Sequence, residues 1–84
     1  MMEFQGRQFR FVLGSDVQRD GMYYEAVEVL DGATRYTAEL FYSDELHTMT
    51  FTAATPNLPI ELVEHMIEQG HKRLVPIDRA AEVD

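Results

Sequence analysis

The sequence MYYEAVEVLDGATRYTAELFY, residues 22–42, carries the clearest structural signal in this chain. Asp31 and Gly32 divide it into two segments in which apolar and polar residues alternate with a period of two. Asp-Gly is a strong hairpin signal, because glycine readily takes the positive φ that a primed two-residue turn requires. The sequence therefore predicts two antiparallel strands, Met22–Leu30 and Ala33–Tyr42.

The position of the turn also predicts which side chains share a face of this hairpin. With Asp31 and Gly32 as the loop, Glu28 lies opposite Arg35 and Tyr24 lies opposite Glu39 on an amphipathic face. The other face of a regular ladder is apolar, and we expect it to form the core. Its members are Tyr23, Val27, Val29, Tyr36, Ala38, Leu40 and Tyr42.

Two further strands and a helix flank the hairpin. Alternating patterns predict strands over Phe4–Leu13 and Leu46–Ala53. Apolar residues at helical spacing predict a helix over Pro59–His71, with proline in its first turn and Gly70 as its C-terminal signal. The predicted fold class is α+β. It is a four-stranded antiparallel meander sheet with one C-terminal helix packed on one face, in the order β-β-β-β-α.

The length of the chain fits one domain. We expect 84 residues to form a single domain over residues 1–75, with residues 76–84 as a frayed C-terminal tail. No apolar run is long enough to cross a membrane, and the N-terminus lacks the order of a secretion signal. The absence of cysteine excludes disulfides and thiolate metal sites. The sequence predicts a cytoplasmic protein without a cofactor.

The charge of the chain is strongly acidic. Fifteen Asp and Glu residues against seven Lys and Arg residues give a net charge of −8, and Arg35 is the only basic residue between Asp20 and Glu68. Such a field repels phosphate groups, which argues against direct binding of nucleic acid or an anionic membrane. A protein partner fits the charge better. The candidate partner surface consists of Glu28, Glu39, Asp44, Glu45, Glu61, Glu64 and Glu68.

The predicted architecture leaves one face of the sheet uncovered. A helix of thirteen residues is about 20 Å long and can cover only one face. We expect Val12, Met22, Tyr24 and Leu30 to be exposed on the other face. Because an exposed apolar patch in a small domain favours association, we expect a homodimer. The two copies would join face to face, or through a free edge strand.

The histidines provide the only candidates for catalysis or metal binding. Glu61, His65 and Glu68 have the spacing of one helix face, which could supply part of a metal site. His47, at the start of the fourth predicted strand, is expected to point towards the helix side. The sequence lacks a nucleophile-elbow motif and a glycine-rich phosphate loop, so a solvated helix face and a strand-end histidine are the simpler interpretations.

These features predict a small protein-interaction module without catalytic activity, which faces a protein partner with its acidic surface and associates with itself. The residues resemble no known family closely enough to transfer a function. The alternative is an acidic inhibitor or nucleic-acid mimic that binds a basic groove, with an affinity that falls steeply with salt. A weaker alternative is a small metal-dependent or acid–base enzyme that uses His47 or His65.

Overall fold

The computed structural model describes residues 1–75, which form an antiparallel sheet and one C-terminal helix. The strands follow one another across the sheet in chain order, as in a meander. This confirms the predicted α+β class, with five strands instead of four. The predicted frayed tail, residues 76–84, lies outside the described residues. The elements are β1 (Met2–Phe4), β2 (Arg7–Asp16), β3 (Gly21–Leu30), β4 (Ala33–Ser43), β5 (Met49–Ala53) and α1 (Ile60–Arg73).

The additional strand arises from a turn near the N-terminus. Gln5 and Gly6 have positive φ values of 54° and 76°, which is the backbone geometry of a primed hairpin turn. Phe4 therefore pairs with Arg7 across this turn. Glutamine is not among the residues that normally mark such a turn, so the sequence pattern predicts one continuous strand here.

The β3–β4 hairpin turns at Asp31 and Gly32, as predicted. Only Gly32 has a positive φ, 73°, so the turn is not of the primed type. Glu28 lies opposite Arg35, again as predicted. The regular ladder nevertheless extends for only four residue pairs from the turn.

A β-bulge in β4 interrupts the ladder. Val27 pairs with Tyr36, but the next residue of β3, Ala26, pairs with Ala38 instead of Thr37. Thr37 is the inserted residue and is fully buried. Because side chains alternate with a period of two, one inserted residue reverses the faces of everything beyond it.

Because of the bulge, the predicted core is wrong on β3 and at Tyr36. Tyr36, expected in the core, is 43% exposed, whereas Tyr24, expected on the uncovered face, is only 4% exposed. Val27 also lies on the face opposite the core. The apolar core between the sheet and α1 consists of Phe9, Tyr24, Ala26, Ala38, Leu40, Tyr42, Leu62, Met66 and Leu74.

The helix packs closely on this core. Leu62 and Met66 of α1 are fully buried, and Gly70 is buried too. Gly70 does not end the helix, which continues to Arg73. A Cβ atom at Gly70 would lie 2.7 Å from Cδ1 of Leu40, so the missing side chain allows α1 to approach the sheet. The position predicted as a stop signal is therefore a packing position.

Candidate functional site

The sheet has one face that α1 does not cover, which we call the open face. Tyr24 and Ala26 belong to the core beneath α1, so the residues between and beside them project from the opposite side of β3. Cross-strand pairing adds their partners from β2, β4 and β5. The side chains on the open face include Glu3, Gln8, Arg10, Val12, Asp16, Tyr23, Glu25, Val27, Val29, Thr34, Tyr36, Glu39, Phe41, Thr50 and Thr52.

This membership differs from the predicted self-association surface. Val12 lies on the open face, as expected, and is 43% exposed. Tyr24 is a core residue, and Met22 packs against the core. Leu30 is exposed, but it shares the side of β3 that carries Tyr24. The β-bulge causes this difference. It places Ala38, Leu40 and Tyr42 on the same face as Tyr24, whereas a regular ladder would place them on the face of Tyr23.

Apolar and aromatic side chains run across the open face. Tyr36 is exposed, and Tyr23, Val27, Val29 and Phe41 are half-buried against their neighbours. The half-buried side chains still present one side to solvent, since no layer of described residues covers them. The result is a broad apolar strip over β3 and β4.

Arg19 organises one end of this strip. Its guanidinium donates to both carboxylate oxygens of Glu39, with Nη1–Oε1 at 3.0 Å and Nη2–Oε2 at 2.8 Å. Its Nε donates to Oδ2 of Asp16 at 2.6 Å, and its Cζ lies 4.1 Å from the centre of the Phe41 ring. The hydrogen bonds from Arg19 lower the pKa of the Asp16 carboxyl. Glu39, a predicted partner-binding acid, is thus held by an arginine of the same chain.

Two arginines offset part of the negative charge of the open face. Glu25 lies directly opposite Glu39, and Arg19 neutralises the second of these. Arg10, opposite Val27, forms no ion pair within residues 1–75. Asp16, opposite Gly21, and Glu3, opposite Gln8, lie on the same side, so two arginines accompany four carboxylates on this face.

The two ends of the open face differ. At the end formed by the β2–β3 and β4–β5 connections, the Asp44 N–H donates to the Asp20 carbonyl at 2.9 Å, which brings the two turns together. Asp20, Asp44 and Glu45 are exposed there, and we call them the acidic end. At the other end, Arg10 and Val29 border an open depression of about 510 Å³ beside the β3–β4 turn.

Glu28, one of the predicted partner-binding acids, is buried instead of exposed. It is 4% exposed and lies on the helix side of the sheet. Arg7 donates to it through Nε and Nη2, at 3.0 and 2.9 Å, and Arg35 donates through Nη2 at 2.7 Å. These hydrogen bonds, those from Arg7 foremost, lower the pKa of the Glu28 carboxyl to about 2. The predicted Glu28–Arg35 pair exists, but as part of a buried network.

The remaining predicted acids lie on two separate elements. Asp44 and Glu45 belong to the acidic end, whereas Glu61, Glu64 and Glu68 are exposed on α1. The Glu61 carboxylate accepts a hydrogen bond from Gln5, and the Glu68 carboxylate lies 3.6 Å from Lys72. The seven predicted acids are thus not brought together into one surface.

His65 packs into an aromatic cluster between α1 and the sheet. Its Nε2 lies 3.3 Å from the Tyr24 hydroxyl, and its ring centre lies 4.8 Å from that of Phe11 and 5.9 Å from that of Phe4. Burial lowers the pKa of His65, against a smaller opposing effect of Glu68. The neutral imidazole is therefore favoured and can accept the Tyr24 hydroxyl proton in a hydrogen bond. These contacts indicate that His65 has a structural role in the packing of α1 on the sheet.

The predicted metal and acid–base candidates are not assembled into a site. Within residues 1–75, no three His, Asp or Glu side chains form a group that could hold a metal ion. His47 lies in the turn before β5, with a φ of 57°, and is exposed. The predicted strand position of His47 is wrong, because β5 begins at Met49.

Comparisons with known proteins give no relative from which to transfer a function. No family model matches the chain, and no significant match was found among curated proteins or solved structures. In the described part of the chain, no helix has the length and apolar character needed to cross a membrane.

Proposed function

We propose that this protein is a non-catalytic interaction module that binds a partner protein on the open face of its sheet. The partner contacts Val27 and Tyr36 with apolar side chains and directs Lys or Arg side chains towards the acidic end. The cytoplasm is part of this proposal, and a chain without cysteine fits that compartment.

The exposure of Tyr36 and Val12, each 43%, is the observation that carries the proposal. An antiparallel sheet that keeps one face in water normally places polar side chains there. This open face instead presents valines, tyrosines and a phenylalanine beside Arg10, Glu25 and the Arg19–Glu39 ion pair. Large exposed apolar patches mark interaction sites in small soluble domains.

The size of the open face suits a protein partner. The five strands contain 39 residues together. At about 3.3 Å of length per residue and about 4.8 Å of width per strand, they give roughly 600 Å² of projected area. A typical stable complex buries about 800 Å² on each partner. Contacts from the neighbouring turns would supply the difference.

The charge distribution indicates how apolar contacts and electrostatic interactions would each contribute to the complex. Apolar contacts at the centre of the face are insensitive to salt, whereas the acidic end steers a basic partner and is screened beyond about 8–10 Å at physiological salt. We therefore expect binding to weaken modestly with salt and to persist at high salt.

The alternative functions have less support. A nucleic-acid mimic needs a continuous array of free acids, but Glu28 and Glu39 are bound by arginines of the same chain. The other acids of the predicted surface are divided between the acidic end and α1. An enzyme that uses His65 would need this packed side chain to leave its aromatic neighbours.

The proposal can be tested by quantitative capture from an extract, at about 0.1 M and about 0.5 M salt. Tyr36→Lys places a charge on the open face, and Glu64→Gln raises the net charge by the same amount on the outer side of α1. We expect Tyr36→Lys to reduce capture of a specific protein at least tenfold and Glu64→Gln to leave it unchanged, with most wild-type binding retained at high salt. Equal loss in both variants, together with complete loss at high salt, would support the mimic instead.

A further inference from the structure

Strand β5 is an edge strand without the usual protection. Within residues 1–75 it pairs only with β4. Its sequence, MTFTA, contains no charge and no proline, and it lies in the longest run of the chain without Asp, Glu, Lys or Arg, residues 46–60. Natural edge strands usually carry such residues, because unpaired backbone groups attract another strand. The opposite edge, β1, is only three residues long and contains Glu3.

The backbone of β5 leaves defined groups free at this edge. The Thr48 carbonyl accepts from the Ser43 N–H at 2.9 Å, and the Ala54 N–H donates to the Thr37 carbonyl at 2.8 Å. Alternate residues of a strand direct their backbone groups to opposite edges. The N–H and C=O groups of Met49, Phe51 and Ala53 therefore point away from β4.

The side chains of β5 follow the same alternation. Phe51 lies opposite Leu40 on the helix side, but it is 38% exposed at the margin of the sheet. Thr50 and Thr52 are exposed on the other side. The strand thus presents a row of threonines on one side and apolar residues on the other, arranged symmetrically about Phe51.

We propose that β5 pairs antiparallel with β5 of a second copy of this chain, with the two Phe51 residues opposite each other. Met49 then faces Ala53 and Thr50 faces Thr52 of the other copy. Apolar residues meet apolar residues and threonines meet threonines, which are favourable cross-strand pairs. The backbone groups that point away from β4 meet in about six hydrogen bonds.

The charge of the chain favours this antiparallel arrangement. A parallel pairing would place the two acidic turns that contain Asp44 and Glu45 side by side. The antiparallel pairing places each of these turns beside the uncharged residues 54–57 of the other copy. The dimer would form a continuous ten-stranded sheet with its two open faces on the same side. This inference is independent of the proposed function, since it uses the edge and leaves the open face free.

Light scattering with size-exclusion chromatography tests the pairing in solution. We expect the wild-type chain, at concentrations up to about 500 µM, to reach twice its mass of 9.7 kDa. Ala53→Pro removes an N–H that points to the free edge and keeps the hydrogen bonds to β4. It should weaken dimerisation at least tenfold with an unchanged circular-dichroism spectrum. Ala53→Ser, which keeps this N–H, should remain dimeric. A monomeric wild type, or an Ala53→Pro chain that dimerises as the wild type does, would overturn the proposal.

Disulfide trapping tests the register without the proline. The chain contains no cysteine, so a single introduced cysteine can form only a bond between copies. Opposed residues that share hydrogen bonds have Cα atoms about 5.5 Å apart, which is within disulfide range. We expect Phe51→Cys to cross-link rapidly under mild oxidation. Thr50→Cys, whose counterpart would be roughly 8 Å away, should cross-link slowly. Equal rates, or faster cross-linking of Tyr36→Cys on the open face, would contradict the proposed pairing.

Discussion

Glu28 is the residue whose environment differs most from what its residue type suggests. It lies in a strongly acidic stretch, yet it is buried between Arg7 and Arg35. The register of the hairpin predicts that Arg35 is its partner. It does not predict the burial of Glu28, because burial depends on how the sheet packs in three dimensions. The second partner, Arg7, comes from β2 and depends on the register between two strands that the sequence does not specify.

Replacing Glu28 by glutamine should destabilise the fold. The variant loses charge-assisted hydrogen bonds and leaves two guanidinium groups without a counter-ion, so we expect a decrease of about 2–3 kcal/mol in the free energy of unfolding at pH 7. Urea denaturation measures this difference. The control is Glu64→Gln on the exposed side of α1, which should change the value by less than about 0.5 kcal/mol. Equal effects of the two variants would contradict the buried network.

The same residue predicts a pH dependence. The pKa of Glu28 is about 2 in the folded chain, below its usual value of 4.5. A depressed carboxyl pKa stabilises the fold fully above the unfolded value and loses that contribution as pH falls towards the folded value. The difference in stability between wild type and Glu28→Gln should therefore shrink between about pH 4.5 and pH 2. A difference that stays constant over this range would rule out the ion pairs as its source.

At the level of elements, the β-bulge at Thr37 determines which face of the sheet becomes the core. The sequence predicted the hairpin, its turn and the helix, because these depend on local periodicity and turn residues. It could not predict the bulge, because Leu40, Phe41 and Tyr42 are consecutive apolar residues that suit either register. The open face was therefore predicted to exist, but with the wrong residues on β3.

Deletion of Thr37 should leave the chain able to fold. Without Thr37, Ala38 follows Tyr36 directly, and a regular ladder keeps the Val27–Tyr36 and Ala26–Ala38 pairs with the same side chains facing α1. We expect the deletion variant to keep a cooperative thermal transition by circular dichroism, with a lower melting temperature because the buried Thr37 is lost. Thr37→Val removes only the hydroxyl group that donates to the Arg35 carbonyl, so it should fold with a loss of about 1 kcal/mol. A deletion variant that does not fold would contradict the assignment of Thr37 as the inserted residue of the bulge.

For the whole molecule, composition and strand order were sufficient for the fold class, but not for the interaction surface. Net charge pointed to acids as the binding residues, because charge can be counted in a sequence. The structure divides those acids among a buried network, an arginine clamp, α1 and the acidic end. The apolar open face is instead a product of tertiary packing, since it depends on one helix covering one side of a five-stranded sheet.

Site-specific photo-cross-linking tests most directly whether the open face is the binding face. A benzophenone side chain is placed at Tyr36 on the open face and, in a matched variant, at Glu64 on α1, and both chains are irradiated in extract at high salt. We expect Tyr36 to yield one cross-linked protein that the unlabelled wild-type chain displaces and the Tyr36→Lys chain does not, with no such product from Glu64. A displaceable product from Glu64 alone, or the same product at both positions, would contradict this assignment.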